Sequence, residues 1–366
     1  MQQISLIELD DRSVEVESAV DLTPSIDPWC SGPDWQIPVA TAFASGAERL
    51  LLAGSGSEGF ALLAKYRGRR GPMLGGMEPL WGFGAPIFGR DPAAVATELA
   101  ATLCDRNDWR TLFLAGMPAV RGNGPDNVPA AGGPAAGTSG DDWIGHDSGN
   151  RGGSGDTKVG VGLESTVTMG IALALSSLGQ VGLAAGITRQ VADLSQGYEA
   201  WLSRRAARFR RNLRQATEKA DRVGLEIEDA SHDPSLFDRL MAVEHRSWKG
   251  REHSGITSNE MSTMYRTMID RLARRNRLNA HIATIDGVDV GYILGGVRAG
   301  RYRGLQLSYS DDARHLSIGN LLQDHQLREL DRHGLADVYD LGMDFDYKRR
   351  WADRAETSVT VVVHRR

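Results

Sequence analysis

Between Leu305 and Lys348 the hydrophobic period changes twice, so that stretch is neither one helix nor one sheet. Leu305, Leu307 and Tyr309 alternate with Gln306, Ser308 and Ser310, the two-residue period of a half-buried strand. From Ile318 the apolar positions Ile318, Leu321, Leu322 and Leu330 share one helical face, and Gly334 stops the helix. Val338-Tyr339-Asp340-Leu341 returns as a strand, followed by the polar run Gly342 to Lys348. Strand, loop, helix and strand in that order predict an α/β (α+β) fold, a mixed sheet flanked by helices. The loop Arg314-His315-Leu316-Ser317-Ile318-Gly319 opens the helix. A helix start presents unpaired backbone N–H groups and the positive end of the helix dipole, which suits a phosphate.

Length and composition bound the rest. A chain of 366 residues exceeds the usual single domain, so two are expected. The apolar fraction of 41% suffices for packed cores, and a net charge of −5 supplies no general attraction to nucleic acid or to an anionic membrane. With only Cys30 and Cys104 there is neither a disulfide framework nor a zinc spacing, which fits a cytoplasmic setting. The first residues lack a basic segment followed by an apolar core, so no signal peptide is expected. Residues 165–188 carry no charge, but glycines, serines, threonines and Gln180 dilute them. Soluble strands or a buried helix are predicted there, and no membrane span.

Taken in order, residues 1–30 read as an edge strand and a loop. Gly54-Ser55-Gly56-Ser57-Glu58-Gly59 matches a dinucleotide fingerprint formally, but the run Phe60 to Tyr66 lasts only seven residues before Arg67, so a hairpin is predicted. Gly71 to Gly89 reads as an irregular loop holding Trp81 and Phe83, Pro92 to Asp105 as a helix, and Trp109 to Met117 as a strand. The segment 121–157 contains eleven glycines and three prolines, a composition that cannot offset the entropy of ordering, so it is predicted to be disordered. Tyr198 to Arg222 reads as one Arg-rich helix, Gly224 to Ala230 as a strand, and Pro234 to Trp248 and Asn259 to Arg275 as helices. Asp286-Gly287 marks a hairpin turn.

Three further stretches, Arg208-Phe209-Arg210-Arg211-Asn212-Leu213-Arg214, Trp248, and Asp344-Phe345-Asp346-Tyr347-Lys348-Arg349-Arg350-Trp351-Ala352, join the loop Arg314-x-x-Ser317-x-Gly319. Together they resemble the GNAT acetyltransferases, whose pyrophosphate loop reads Gln/Arg-x-x-Gly-x-Gly/Ala, and within them the BioF2-like branch associated with cellulose biosynthesis. Ser317 stands where that loop has its first glycine. The resemblance covers residues 187–366. It implies a tandem GNAT-like fold: a degenerate domain over 1–120, the loop 121–157, a crossover segment and basic helix over 158–222, and an acyltransferase domain over 223–366. It also implies acetyl-CoA or another acyl-CoA as co-substrate, held by Leu307, Tyr309, Arg314, His315, Ser317, Ile318, Gly319 and Asn320. The ends of the last two core strands would splay to admit the pantetheine arm, with Tyr347 meeting the departing sulfur.

The chemistry follows. The histidines form no H-E-x-x-H pair, and no G-x-S-x-G elbow or P-loop is present, so zinc protease, serine hydrolase and P-loop NTPase readings have no anchor. No metal is expected. An amine must be neutral to attack a thioester, so a carboxylate, or water held by one, takes its proton. Asp311, Asp312, Asp344 and Asp346 are candidates, Asp344 first. Backbone N–H groups of the Leu305–Ser310 strand are candidates to hold the carbonyl oxygen. The GNAT resemblance implies that Glu244, Trp248 and Asp346 line the acceptor, a small amine such as an amino sugar. No DNA partner is expected. RNA enters only under an alternative, a Fem-type transferase drawing on aminoacyl-tRNA, for which the Arg-rich helix speaks. A non-catalytic accessory protein of envelope polysaccharide assembly is the third reading.

Overall fold

The computed structural model describes residues 1–44, 47–56, 58–68, 71–78, 80–119, 166–252 and 255–366; the stretch 121–157, expected to be disordered, lies outside them. Two units emerge: Met1–Ile26 with Gly46–Gly186 and Ser358–Arg366, and Asp27–Ser45 with Ile187–Thr357. Two segments therefore depart from the boundaries drawn from sequence. Residues 27–45 build the second unit, and the terminal residues complete the first.

In the first unit α1 (Leu6–Asp11) and α2 (Ser13–Asp21) replace the loop expected over residues 1–30; only β1 (Gln2–Gln3) is a strand there. The reason is local, because the Ser5 side chain accepts from the Glu8 amide while Glu8 accepts from the Ser5 amide, a capping box. The next helix, α3 (Pro33–Phe43), belongs to the second unit. β2 (Arg49–Ala53) and β3 (Gly59–Gly68) form the expected hairpin, with Gly54 N donating to Gly59 O at 2.8 Å. After β4 (Gly71–Gly76), β5 (Ile87–Gly89) and α4 (Pro92–Cys104), β6 (Thr111–Pro118) lies parallel to β4. α5 (Thr166–Leu175) follows. The C-terminal part of β13 (Arg354–Arg365) closes the sheet order β1-β2-β3-β4-β6-β13.

The second unit repeats that logic with longer elements. Its sheet order is β7 (Gly179–Asp193), β12 (Val338–Met343), β11 (Arg301–Tyr309), β10 (Val288–Arg298), β9 (Leu278–Ile285), β8 (Glu226–Asp229). Every pairing is antiparallel except β11 with β12, which α11 (Ile318–Arg332) connects. Asp286 and Gly287 both take positive φ in the β9–β10 turn, the type I′ geometry that an Asp-Gly pair favours. The helix predicted over 198–222 is two, α6 (Tyr198–Ser203) and α7 (Ala207–Arg222). Arg205 turns inward between them to the Asp353 carboxylate and the Ala352 carbonyl, and Ala206 is extended. Phe209 then anchors the start of α7 edge-on against Trp351 at 4.9 Å. α8 (Leu236–His245), α9 (Trp248–Arg251), α10 (Asn259–Arg274) and α12 (Asp346–Arg349) complete the unit. Among the described residues no helix is long and apolar enough to cross a membrane.

Candidate active site

The predicted phosphate loop is a 3₁₀ turn, Asp311–Leu316, followed by Ser317 at φ 60°, ψ 34° and then α11. That is the left-handed conformation a glycine would adopt freely, so the serine occupies the glycine geometry of the loop. The Ser317 side chain makes no capping hydrogen bond, and the first amides of α11 have no carbonyl one turn back. The matching helix of the first unit is different. Asp91 accepts from the amides of Ala93 and Ala94 at 3.1 and 3.0 Å, filling the α4 terminus with the chain's own carboxylate.

Cations gather around the α11 terminus. Lys219 Nζ donates to the His315 carbonyl at 2.8 Å, Arg350 donates to the Asn320 side chain at 3.1 Å, and Arg314 is exposed. Lys219 sits on the face of α7 that also carries Arg208, Asn212 and Gln215 at three- and four-residue spacing. Gly319 has a packing reason beside the one its motif implies. A Cβ there would stand 3.1 Å from the Tyr309 ring and 3.3 Å from Leu307, so the glycine lets α11 pack closely on β11.

Beside this loop the central strands part. β11 and β12 pair in register only at Arg301/Val338, Tyr302/Tyr339 and Arg303/Asp340. Leu305 is skipped in the β10 register, where Gly304 faces Gly295 and Gln306 faces Leu294, a one-residue bulge. Beyond it Ser310 N bonds to Val290 O on β10, whereas the Leu307 carbonyl accepts from Lys249 Nζ at 2.8 Å and the Leu305 carbonyl from the Tyr265 hydroxyl at 2.9 Å. In a strand the N–H and C=O of one residue point the same way, so the Leu307 N–H faces the edge that β12 has left. The predicted alternation is present but its burial is inverted: Ser308 is buried, while Leu305, Leu307 and Tyr309 are half-buried.

On the other face of β11 stands Glu244, fully buried on the apolar stripe Leu236, Phe237, Leu240 and Val243 of α8. Its Oε1 accepts from Gln306 at 3.1 Å and from the Ile256 amide at 3.4 Å, and its Oε2 from the Tyr292 hydroxyl at 3.0 Å. Burial first and Glu244 second raise the pKa of both Tyr292 and Tyr265, so both stay protonated. Sequence reasoning singled out Glu244 but not its partners Tyr265, Tyr292 and Gln306, because aromatic residues on predicted core faces read as packing. Its signal was its place at the end of the helix where the GNAT resemblance sets the acceptor.

Trp248, Phe345 and Tyr347 remain 45%, 40% and 58% exposed, so Trp248 is not a core residue. Phe345 and Tyr347 stack at 6.1 Å, and the Lys348 ammonium lies 5.2 Å from the first ring and 5.7 Å from the second. Partial desolvation, then the Tyr309 phenol, raises the Tyr347 pKa. Asp344 is less suited to the base role expected of it. Arg349 grips both its oxygens at 2.8 Å and Gln190 donates to it at 2.9 Å, and Arg349 above all holds its carboxyl below the usual range. Asp346 projects into solvent with its nearest cation, Arg349, at 3.3 Å. Asp311 pairs with Arg251.

These features can be set beside known proteins. Residues 207–349 match the family described as acetyltransferase (GNAT) domain. No curated protein matches the chain. Among solved structures the chain resembles FemX at 11% identity and TM-score 0.57, over 98% of this chain and 96% of that one. A conserved protein of unknown function from Bacteroides thetaiotaomicron VPI-5482 is similar at 8% identity and TM-score 0.56, covering 100% and 99%. L-PGS from Bacillus licheniformis is similar at 10% identity and TM-score 0.51, covering 95% and 90%. At such identities the likeness is one of fold. The GNAT match begins with α7 and ends with α12, and so spans the loop, the parted strands, Glu244 and Tyr347.

Proposed function

We propose that this protein is a cytoplasmic acyl-CoA-dependent N-acyltransferase acting on a small amine, an amino sugar of polysaccharide or cell-envelope biosynthesis in the reading its BioF2-like motifs favour. The observation that carries the proposal is the parting of β11 from β12 directly beside an uncapped helix start ringed by Arg314, Lys219 and Arg350. Free amides at Ile318 and Gly319 suit a pyrophosphate, and the open edge of β11 suits an extended pantetheine arm that pairs with a strand.

Within that reading the Leu307 N–H holds the thioester carbonyl oxygen as it gains charge. The neutral amine forms a C–N bond to that carbon, the C–S bond breaks, and the departing thiolate takes the Tyr347 hydroxyl proton. Glu244 takes the amine's proton through water, because Asp344 is held by Arg349 and Glu244 is the carboxylate hydrogen-bonded to β11 through Gln306. The products are an amide and the free thiol of CoA.

The exposed face of α7 supports a second reading, transfer from aminoacyl-tRNA, since Arg208 and Lys219 lie in one line leading to the loop. Thermal unfolding with CoA, several acyl-CoAs and aminoacyl-tRNA separates the two. A ligand at one hundred times its Kd stabilises a fold by about 2.7 kcal/mol. A shift with aminoacyl-tRNA and none with any CoA would replace the first reading by the second, and no shift with either would leave an accessory role.

A further inference from the structure

The bulge in β11 falls where side chains do little to fix the register of the two strands. Next to it Gly304 faces Gly295 and Arg303 faces Gly296, and a glycine offers a sheet no side chain to pack. Were the bulge to form beyond Leu307 instead, Leu305 to Leu307 would slide by one place on β10, and a one-residue slip carries every side chain to the opposite face. Gln306 would then leave Glu244, to which it donates at 3.1 Å, and the Leu307 N–H would turn toward β10, away from the edge that β12 has left.

A bulged residue has no ladder partner, so the Leu305 carbonyl needs one from elsewhere. It accepts from the Tyr265 hydroxyl at 2.9 Å. Tyr265 is 5% exposed and lies on the buried face of α10 with Met268, Ile269 and Leu272, so packing of that helix sets where the hydroxyl stands. Burial first, then Glu244, raises its pKa and keeps it a donor at neutral pH. The carbonyl it holds belongs to the Leu305–Gln306 peptide, and the next peptide carries the Leu307 N–H. Only the Gln306 torsions separate the two, and the Gln306 side chain is itself held by Glu244.

We propose that Tyr265 is a positioning residue of the acyl transfer: it pins the β11 bulge at Leu305 and so keeps the Leu307 N–H aimed at the thioester oxygen and Gln306 on Glu244. The proposal rests on the acyltransferase reading and adds to it a residue that acts through the backbone.

Isotope-edited infrared spectra of acetyl-CoA carrying carbon-13 at the thioester carbonyl test it without an acceptor. A donor aimed at that oxygen weakens the C=O bond, so the band of acetyl-CoA bound to the wild-type protein is expected below that of free acetyl-CoA. Tyr265→Phe keeps the ring and removes one hydroxyl. Most of the shift is expected to be lost in that variant, while its calorimetric Kd for CoA stays within about threefold of wild type and its unfolding remains cooperative. A variant band at the wild-type position overturns the proposal, and so does a shift lost only together with CoA affinity, which would make Tyr265 a residue of the fold alone. Should Tyr265→Phe fail to fold, a crystal structure of the wild-type protein with acetyl-CoA decides. The hydroxyl is expected on the Leu305 carbonyl with the Leu307 N–H at the thioester oxygen, and a hydroxyl that has left that carbonyl overturns the proposal. A wild-type protein that binds CoA but leaves the band unmoved overturns it as well, whereas one that binds no CoA defeats the acyltransferase reading instead.

Discussion

Tyr347 and Glu244 divide the proton chemistry between an exposed ring and a buried carboxylate, and each can be tested by removing little else. Tyr347→Phe keeps the stack on Phe345 and deletes one hydroxyl. Under the proposed mechanism kcat falls by about 10² to 10⁴ with CoA binding unchanged. A variant within a factor of three of wild type reduces Tyr347 to packing. Glu244→Gln preserves a hydrogen-bonding side chain of equal size among Tyr292, Gln306 and the Ile256 amide, so a well-folded protein with strongly reduced kcat is expected. Asp344→Asn should by comparison affect activity modestly, because its carboxylate already serves Arg349. The reverse order of effects would return the base role to Asp344.

Elements carry the constraints that single residues conceal. Gly319 was legible as a special position, since a six-residue motif marked it, but its reason was not: the Tyr309 and Leu307 side chains that exclude a Cβ come from β11, ten residues or more away in sequence. Gly319→Val is therefore expected to cost about 1–3 kcal/mol by overpacking α11 against β11, in addition to weakening CoA binding. Ser317→Gly should do the opposite, raising stability by on the order of 1 kcal/mol, because it removes a side chain from a left-handed backbone. Unfolding curves of both variants check the pair of signs. The three strands β7, β12 and β11 also bury Asp340 among Arg189, Arg301 and Arg303, and those guanidiniums hold its carboxyl well below the usual range against the cost of burial. A carboxyl depressed in the folded state stabilises above its unfolded pKa near 4 and loses that contribution as pH falls toward the folded value. Stability of the second unit should fall below about pH 4, and Asp340→Asn should cost about 3 kcal/mol at neutral pH by removing the fully buried carboxylate that Arg189, Arg301 and Arg303 share, although Arg189 and Arg301 keep Glu356. The succession of elements from residue 224 to 343 was readable from period and turn residues. The parting of β11 from β12 was not, because backbone pairing leaves no mark in side-chain periodicity, and the sequence supplied it only through family resemblance.

Across the whole molecule the least legible fact is that residues 27–45 belong with residues 187–357. Nothing local in them says which core their apolar side chains join. The contacts are specific. The Asp34 carboxylate, buried, faces Arg277 at 2.8 Å, Arg275 at 3.3 Å and Arg271 at 3.6 Å, α3 packs on α10, and a Cβ on Gly296 of β10 would stand 2.7 Å from the Trp29 ring. A fragment of residues 187–357 therefore contains the whole GNAT match and still lacks a helix whose residues from Pro33 to Ala40 are all buried. Without it the α10 face is bare and Arg271 loses a buried counter-ion, a penalty of about 3–5 kcal/mol from the charge alone, comparable with the total stability of many domains. The fragment is expected to lack a cooperative thermal transition and to show no response to CoA, and a peptide of residues 27–45 added in trans should restore both. Asp34→Asn in that peptide should weaken the rescue. A fragment that melts cooperatively unaided would show that α3 covers the second unit without being required by it.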